Sequence, residues 1–94
     1  MIESLRPSLE EAEIIALKGL AFLAADPERL SRFLALSGVS PGDVRAATAD
    51  RRFLAGILDH LLQDESLLLT FAADEDLDPR LPAQAAEILD EVQR

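Results

Sequence analysis

Residues 13–25 read E-I-I-A-L-K-G-L-A-F-L-A-A, and this stretch decides the fold. It holds only two charged residues, Glu13 and Lys18, and a single glycine, Gly19. At about 3.6 residues per turn, its isoleucine, leucine and phenylalanine side chains spread around most of the helix circumference. A helix that is apolar on nearly every side has to be surrounded by other elements. We therefore predict a central helix here, wrapped by the rest of the domain.

Three small residues, Ala12, Ala16 and Gly19, fall on one line of this helix, at positions i, i+4 and i+7. Small side chains on one line let the backbone of a second helix come close. We expect another helix to pack against this line.

The same stretch fits neither a membrane span nor a secretory signal. A span needs about 20 apolar residues, whereas this run is shorter and is interrupted by Lys18. A secretory signal carries basic residues ahead of its apolar run, but here Glu3, Glu10 and Glu11 precede it. We expect a soluble protein that stays in the cytoplasm.

The composition indicates one all-α domain over residues 1–94. Leucine occurs 18 times and alanine 15 times, whereas tryptophan, tyrosine and cysteine are absent. This mixture favours helices over strands. Without cysteine the chain has no disulfide, no thiolate nucleophile and no cysteine-bound zinc. No motif in the sequence suggests a cofactor.

The net charge of −9 is unevenly distributed. Residues 1–58 hold eight acidic and seven basic side chains, a net of −1, whereas residues 59–94 hold ten acidic and two basic ones, a net of −8. Such a charge bears on the choice of partner rather than on the fold. Nucleic acid and anionic membranes are repelled by the C-terminal part, and a basic partner protein is attracted by it.

Capping residues divide the first half of the chain into short helices. Ser8 and Glu11 have the S-x-x-E spacing of a capping box, which opens the first helix. Asp26 followed by Pro27 opens a second one. Gly38 ends that helix, as glycine does at the position after a helix C-terminus.

A third, short helix follows Ser40-Pro41-Gly42-Asp43, and Asp50 then caps a fourth. The fourth helix carries an apolar stripe with i, i+3, i+4, i+7 spacing, formed by Leu54, Ile57, Leu58 and Leu61. Continuing this helix past Gln63 would bring Asp64 and Glu65 into the stripe. We therefore predict a break there, with Asp64 capping a fifth helix.

The two ends of the chain differ from its middle. Residues 1–7 lack periodicity and are predicted to form a loose arm. Residues 77–94 are predicted to form an acidic turn and a last helix, which offers Ala85, Ile88, Leu89 and Val92 to the core. The whole prediction is a compact bundle of five or six short helices around the central N-terminal helix.

The order of these features resembles a known bacterial family. After the first helix come R-F-L-A-L-S-G-V-S-P-G-D-V-R (residues 32–45) and F-L-A-G-I-L-D-H-L-L-Q-D-E-S-L-L-L-T-F (residues 53–71). Over residues 12–76 the chain resembles the small helical proteins called domain of unknown function three-five-seven-two. The resemblance implies an all-helical fold, brings no catalytic residues, and leaves the acidic C-terminal helix outside it.

Residues 38–52 are similar to the turn and second-helix start of a helix-turn-helix. In that interpretation the helix enters the major groove, with Arg45, Arg51 and Arg52 near phosphates or base edges. The other interpretation is ordinary capping between two helices. Because the rest of the chain is acidic and DNA readers are usually basic, a nucleic-acid-binding regulator is the alternative function rather than the first.

Five arginines form a candidate interaction patch: Arg29, Arg32, Arg45, Arg51 and Arg52. Guanidinium groups bind carboxylates and phosphates well, so an anion site is one interpretation. The other pairs these arginines within the molecule, with the acidic C-terminal segment as counter-charge. We favour intramolecular pairing because the chain is acidic overall.

No combination of residues predicts catalysis or metal binding. Asp74, Asp76 and Asp78 have the opening spacing of a calcium loop, but the glycine and the final glutamate of such a loop are missing. His60 is the only histidine, with Asp64 four residues later. One histidine and one carboxylate do not make a metal site, and no nucleophile stands beside them.

These observations lead to one functional expectation. A leucine-rich helical chain, a polarised charge and no catalytic group together predict a non-catalytic protein-interaction module with an unknown, basic partner. A homodimer also fits, because a small bundle with so many leucines can leave an apolar patch uncovered.

Overall fold

The computed structural model describes residues 6–92, and in this part of the chain it contains helices and no strands. Six are α-helices: α1 (Leu9–Ala24), α2 (Pro27–Ser37), α3 (Val44–Ala47), α4 (Arg51–Leu62), α5 (Glu65–Asp74) and α6 (Leu81–Glu91). A 3₁₀ helix (Pro41–Asp43) precedes α3. The predicted all-α bundle is confirmed. Most of the predicted N-terminal arm lies outside the described residues.

The predicted caps form as the sequence indicates. The Ser8 Oγ accepts a hydrogen bond from the Glu11 N–H (3.1 Å), and the Glu11 carboxylate accepts one from the Ser8 N–H (2.7 Å). Asp26 accepts from the N–H groups of Glu28 and Arg29. Gly38 ends α2 with a φ of 77°, a left-handed conformation that only glycine adopts without strain.

Gly19, the last small residue of the line on α1, packs against α4. Ala12 and Ala16 are fully buried. A Cβ added at Gly19 would lie 3.0 Å from Cδ1 of Leu61 and 3.2 Å from Cγ2 of Ile57. The predicted approach of a second helix is therefore confirmed, and the second helix is α4.

The prediction that α1 is wrapped on all sides is wrong. Ile14 is 47% exposed and Leu17 is 42% exposed. Helices α2, α4 and α6 all contact α1, but they leave the face that carries these two side chains uncovered. The centre of the fold is shared with α4, which contacts α1, α2, α5 and α6.

The predicted break after α4 is confirmed. Helix α4 ends at Leu62, and Oδ1 of Asp64 accepts a hydrogen bond from the Leu67 N–H (3.1 Å), which caps α5. All four residues of the α4 stripe are buried: Leu54, Ile57, Leu58 and Leu61. The break thus keeps two carboxylates out of the core.

Helix α6 packs within its own chain, against α1 and α4. Ala85 and Leu89 are fully buried, and Ile88 is nearly so. Val92 is 43% exposed, so its predicted core position is wrong. The reason is that α6 ends at Glu91 and Val92 lies beyond the part of the helix that faces the core.

No helix within residues 6–92 combines the length and the apolar character needed to cross a membrane.

Candidate binding groove between α2 and α4

A groove of about 500 Å³ lies between α2 and α4. The rings of Phe33 on α2 and Phe53 on α4 pack at a centroid distance of 5.7 Å and fix the two helices relative to each other. Both rings are buried, so the groove is built on the hydrophobic core rather than on loops. A rigid base of this kind is typical of binding sites.

The apolar wall of the groove is completed by Leu36 and Val39. Leu36 is 72% exposed, the highest exposure among the large apolar side chains of the described residues. It stands near the C-terminal end of α2, outside the part of the helix that faces the core. Together with Phe33, Val39 and Phe53 it gives the groove a contiguous apolar surface, and contiguous apolar surface is what marks interaction sites.

Gly56 forms an open part of the groove in the middle of α4. No atom lies within 4 Å of the position that a Cβ would take there, so the missing side chain leaves empty space rather than a tight contact. The glycine therefore has no packing role in the structure and widens the groove.

Asp59 lines the same groove, and the pKa of its carboxyl group is shifted by its surroundings. Partial burial and the nearby carboxylate of Asp90 on α6 both raise the pKa of the Asp59 carboxyl. Among residues 6–92 no lysine, arginine or histidine lies within ion-pair distance of Asp59. A positive charge supplied by a ligand would relieve the repulsion between these two carboxylates.

His60 lies between this groove and a second cleft. Its ring is 5.2 Å from that of Phe33 in an edge-on arrangement. Burial and the positive charge of Arg32 lower the pKa of His60, while Asp64 acts in the opposite direction. The interaction with Asp64 that the sequence suggested is thus electrostatic, because the hydrogen bond shown for that carboxylate is to the Leu67 N–H.

The five arginines of the candidate patch do not lie together. Arg29 and Arg32 line the second cleft with His60, whereas Arg52 lines the α2–α4 groove. The Nε of Arg51 donates to the Glu13 carboxylate on α1 (2.9 Å). Arg45 lies on α3, away from both clefts.

The counter-charges of these arginines also differ from the prediction. Arg29 pairs with Asp26 at 3.8 Å and Arg51 with Glu13, and both acids precede residue 59. The acidic C-terminal segment instead holds Arg80, through Asp78 at 2.7 Å, and it contacts Arg6 through Glu91. The predicted pairing of these arginines with that segment is therefore wrong, because Arg29 and Arg51 pair with acids of the first half of the chain, which lie closer to them.

The segment predicted as a helix-turn-helix contains a 3₁₀ turn and the four-residue helix α3. A recognition helix reads the major groove with several residues over more than one turn, and α3 provides a single turn. The Ser40 hydroxyl donates to the Asp43 carboxylate (2.8 Å), which fits the capping interpretation.

Within residues 6–92 there is no group of three or more acidic or histidine side chains arranged to hold a metal ion. The acidic turn is instead organised by Arg80, whose guanidinium donates to Asp78 and lowers the pKa of that carboxyl to about 2.

Sequence reasoning missed the α2–α4 groove. Two signals were present in the chain: Gly56 stands within the apolar pattern of α4, and Leu36 lies off the buried face of α2. Neither reveals a cavity until the relative positions of the two helices are known.

A model of the family described as "Protein of unknown function (DUF3572)" matches residues 9–92. The match includes α6, so the earlier boundary at residue 76, which left the C-terminal helix outside the resemblance, is wrong. No curated protein and no solved structure matches the chain.

Proposed function

Because the chain belongs to the DUF3572 family, whose description states no activity, we propose its function from the groove: it is a non-catalytic interaction module that binds a segment of a partner protein between α2 and α4. The segment carries one large apolar side chain and, beside it, a lysine or arginine. The observation that carries the proposal is the combination, in one groove, of an apolar wall, an open space at Gly56, and Asp59, which has no ion-pair partner among residues 6–92.

The apolar wall of the groove supports the first part of the proposal, that the partner segment carries a large apolar side chain. Covering an exposed leucine stabilises a complex by about 1.5 to 3 kcal/mol, and Leu36 is available for it. The space above Gly56 allows an inserted side chain to reach the base of the groove. Anchors of this kind supply most of the binding energy in small interfaces.

The charges of the groove support the second part of the proposal, that the partner segment carries a lysine or arginine. Asp59 faces the groove and is repelled by Asp90. Arg52 and Asp50 both line the groove at the start of α4, so the negative charge left over is that of Asp59, near the other end of the helix. The net charge of −8 over residues 59–94 attracts a basic partner from a distance.

A peptide library displayed on phage tests the proposal directly. We expect the wild-type protein to select peptides with a large apolar residue near lysine or arginine. Gly56→Leu fills the groove without a clash, since nothing lies near its Cβ, and we expect it to abolish binding. Gly42→Leu is the matched control, because Gly42 also faces open space but does not line the groove.

The charge contribution is tested on the selected peptides. Asp59→Asn is expected to weaken binding several-fold and to reduce its salt dependence. Peptides that bind Gly56→Leu as well as wild type, a selection of acidic peptides, or no selection at all would each rule the groove out as the binding site.

A further inference from the structure

A second cleft, of about 220 Å³, lies beside the α2–α4 groove and is separated from it by His60. Helix α2 contributes Arg29 and Arg32, α4 contributes His60, and α5 contributes Ser66 and Thr70. Hydrogen-bond donors thus converge from three helices on one small space. Two of the nine lysine and arginine side chains thus line one cleft, in a chain with a net charge of −9.

Arg32 has no ion-pair partner within 4 Å among residues 6–92. Its charge instead acts on His60, whose pKa is lowered first by burial and then by Arg32, while Asp64 acts in the opposite direction. Arg32 and the protonatable His60 therefore line one cleft together. An anion placed there interacts favourably with both.

Arg29 is held in place while part of its donor set stays available. Its guanidinium lies 4.9 Å from the centroid of the Phe22 ring, a cation–π contact. Its ion pair with Asp26 is long, at 3.8 Å, because the other oxygen of that carboxylate accepts the N–H groups at the start of α2. A guanidinium oriented in this way binds an oxyanion at little entropic cost.

The third wall comes from α5. The Thr70 hydroxyl donates to the backbone carbonyl of Ser66 (2.9 Å), whereas the Ser66 hydroxyl makes no hydrogen bond with any residue from 6 to 92. Asp64 also lines the cleft and is its one carboxylate. Its Oδ1 accepts a hydrogen bond from the Leu67 N–H, and it forms no ion pair with Arg29 or Arg32 within 4 Å.

We propose that this cleft is a phosphate-binding site, in which Arg29 and Arg32, His60 and the Ser66 hydroxyl bind separate oxygens of one phosphate group. A tetrahedral oxyanion uses donors from three directions, whereas a planar carboxylate is satisfied by one guanidinium. The shared chemistry is the phosphate group, whether it belongs to free inorganic phosphate or to an organic phosphomonoester. The proposal does not depend on the partner segment in the neighbouring groove.

His60 provides a direct measurement, because it is the only histidine and gives one imidazole signal in NMR spectra. Its pKa is measured in sodium chloride and in sodium phosphate at equal ionic strength. A bound phosphate favours the imidazolium form, so we expect the pKa in phosphate to be higher by about half a unit. Acetate at the same ionic strength is expected to leave the pKa at its value in chloride.

Arg32→Gln separates specific binding from general screening. This substitution removes the repulsion between Arg32 and protonated His60, so the His60 pKa in chloride is expected to rise. The difference between the His60 pKa values in chloride and in phosphate is expected to disappear. Arg45→Gln changes the net charge by the same amount at a position that does not line the cleft. In this variant the difference in His60 pKa between chloride and phosphate is expected to match that of the wild type. Unchanged NMR spectra away from the cleft verify that both variants are folded.

The source of the phosphate is distinguished by titrating with O-phosphoserine as well as inorganic phosphate. A half-maximal shift at a much lower concentration of phosphoserine assigns the site to an organic phosphomonoester, and equal concentrations assign it to free phosphate. The same His60 pKa in phosphate and chloride, a full shift with acetate, or a persistent shift in Arg32→Gln would each overturn the proposal.

Discussion

Gly19 and Gly56 are both helical glycines, and their surroundings differ. A Cβ at Gly19 would be 3.0 Å from Leu61 and 3.2 Å from Ile57, both fully buried. A Cβ at Gly56 would meet nothing within 4 Å. Gly19 is therefore required by the packing of α1 on α4. Gly56 lowers the stability of α4, and its missing side chain serves only to leave the groove open.

Replacing each glycine by alanine tests this difference. Gly56→Ala is expected to stabilise the protein by about 0.5 to 1 kcal/mol, because alanine has the higher helix propensity and meets no clash. Gly19→Ala gains the same propensity, but overpacking costs about 1 to 3 kcal/mol. We expect it to be less stable than wild type.

Urea unfolding followed by circular dichroism measures both free energies. Each variant is the control for the other, since the chemical change is identical. If Gly19→Ala gained as much stability as Gly56→Ala, the α1–α4 contact would have room to spare and the assigned role of Gly19 would be wrong.

Among the helices, α5 has a carboxylate at each end, and the two carboxylates have opposite effects on the stability of the helix. Asp64 caps the N-terminus by accepting from the Leu67 N–H. Asp74 is the last residue of the helix, where a negative charge opposes the helix dipole. One carboxylate stabilises α5 and the other destabilises it.

Asp64→Ala is expected to lower the free energy of unfolding by about 1 kcal/mol, the usual cost of losing an N-cap. Asp74→Ala is the matched change at the other end, and we expect it to be neutral or stabilising by up to about 0.5 kcal/mol. Thermal and urea unfolding at low salt report both values. Equal losses in the two variants would mean that neither carboxylate acts through the end of the helix.

These elements explain what could be predicted from the sequence. Caps at Ser8, Asp26 and Asp64 act on backbone groups two or three residues away, so their effect can be read without knowledge of the tertiary fold. The stripe of α4 follows from helix periodicity in the same way. Local rules therefore predicted the helices and most of the buried residues.

What could not be predicted depends on how the helices are placed around each other. The exposed face of α1 at Leu17 reflects the number of neighbouring helices, which periodicity does not give. Arg29 on α2 and Arg51 on α4 are apart because the two helices present them on different parts of the surface, and this depends on how each helix is rotated in the bundle. The α2–α4 groove is a property of two helices together, so no single stretch of sequence contains it.

At the scale of the whole molecule, α6 completes the core. It contacts both α1 and α4, and the family match extends through it to residue 92. The helix does so despite carrying Glu87, Asp90 and Glu91, because those carboxylates lie away from its buried side. The acidic C-terminal segment is therefore an integral part of the fold, and its charge is displayed by a packed helix.

Two side-chain truncations, one within α6 and one just past its end, test whether α6 is required for stability. Leu89 is fully buried, so Leu89→Ala removes core contacts and leaves a cavity, at an expected cost of about 2 to 5 kcal/mol. Val92 is 43% exposed and lies just past the helix end, so Val92→Ala is expected to change stability by less than about 0.5 kcal/mol. Urea unfolding measures both, and hydrogen exchange in α1 and α4 shows whether the loss at Leu89 spreads to the rest of the bundle. If Leu89→Ala were as mild as Val92→Ala, α6 would be an appendage rather than part of the core.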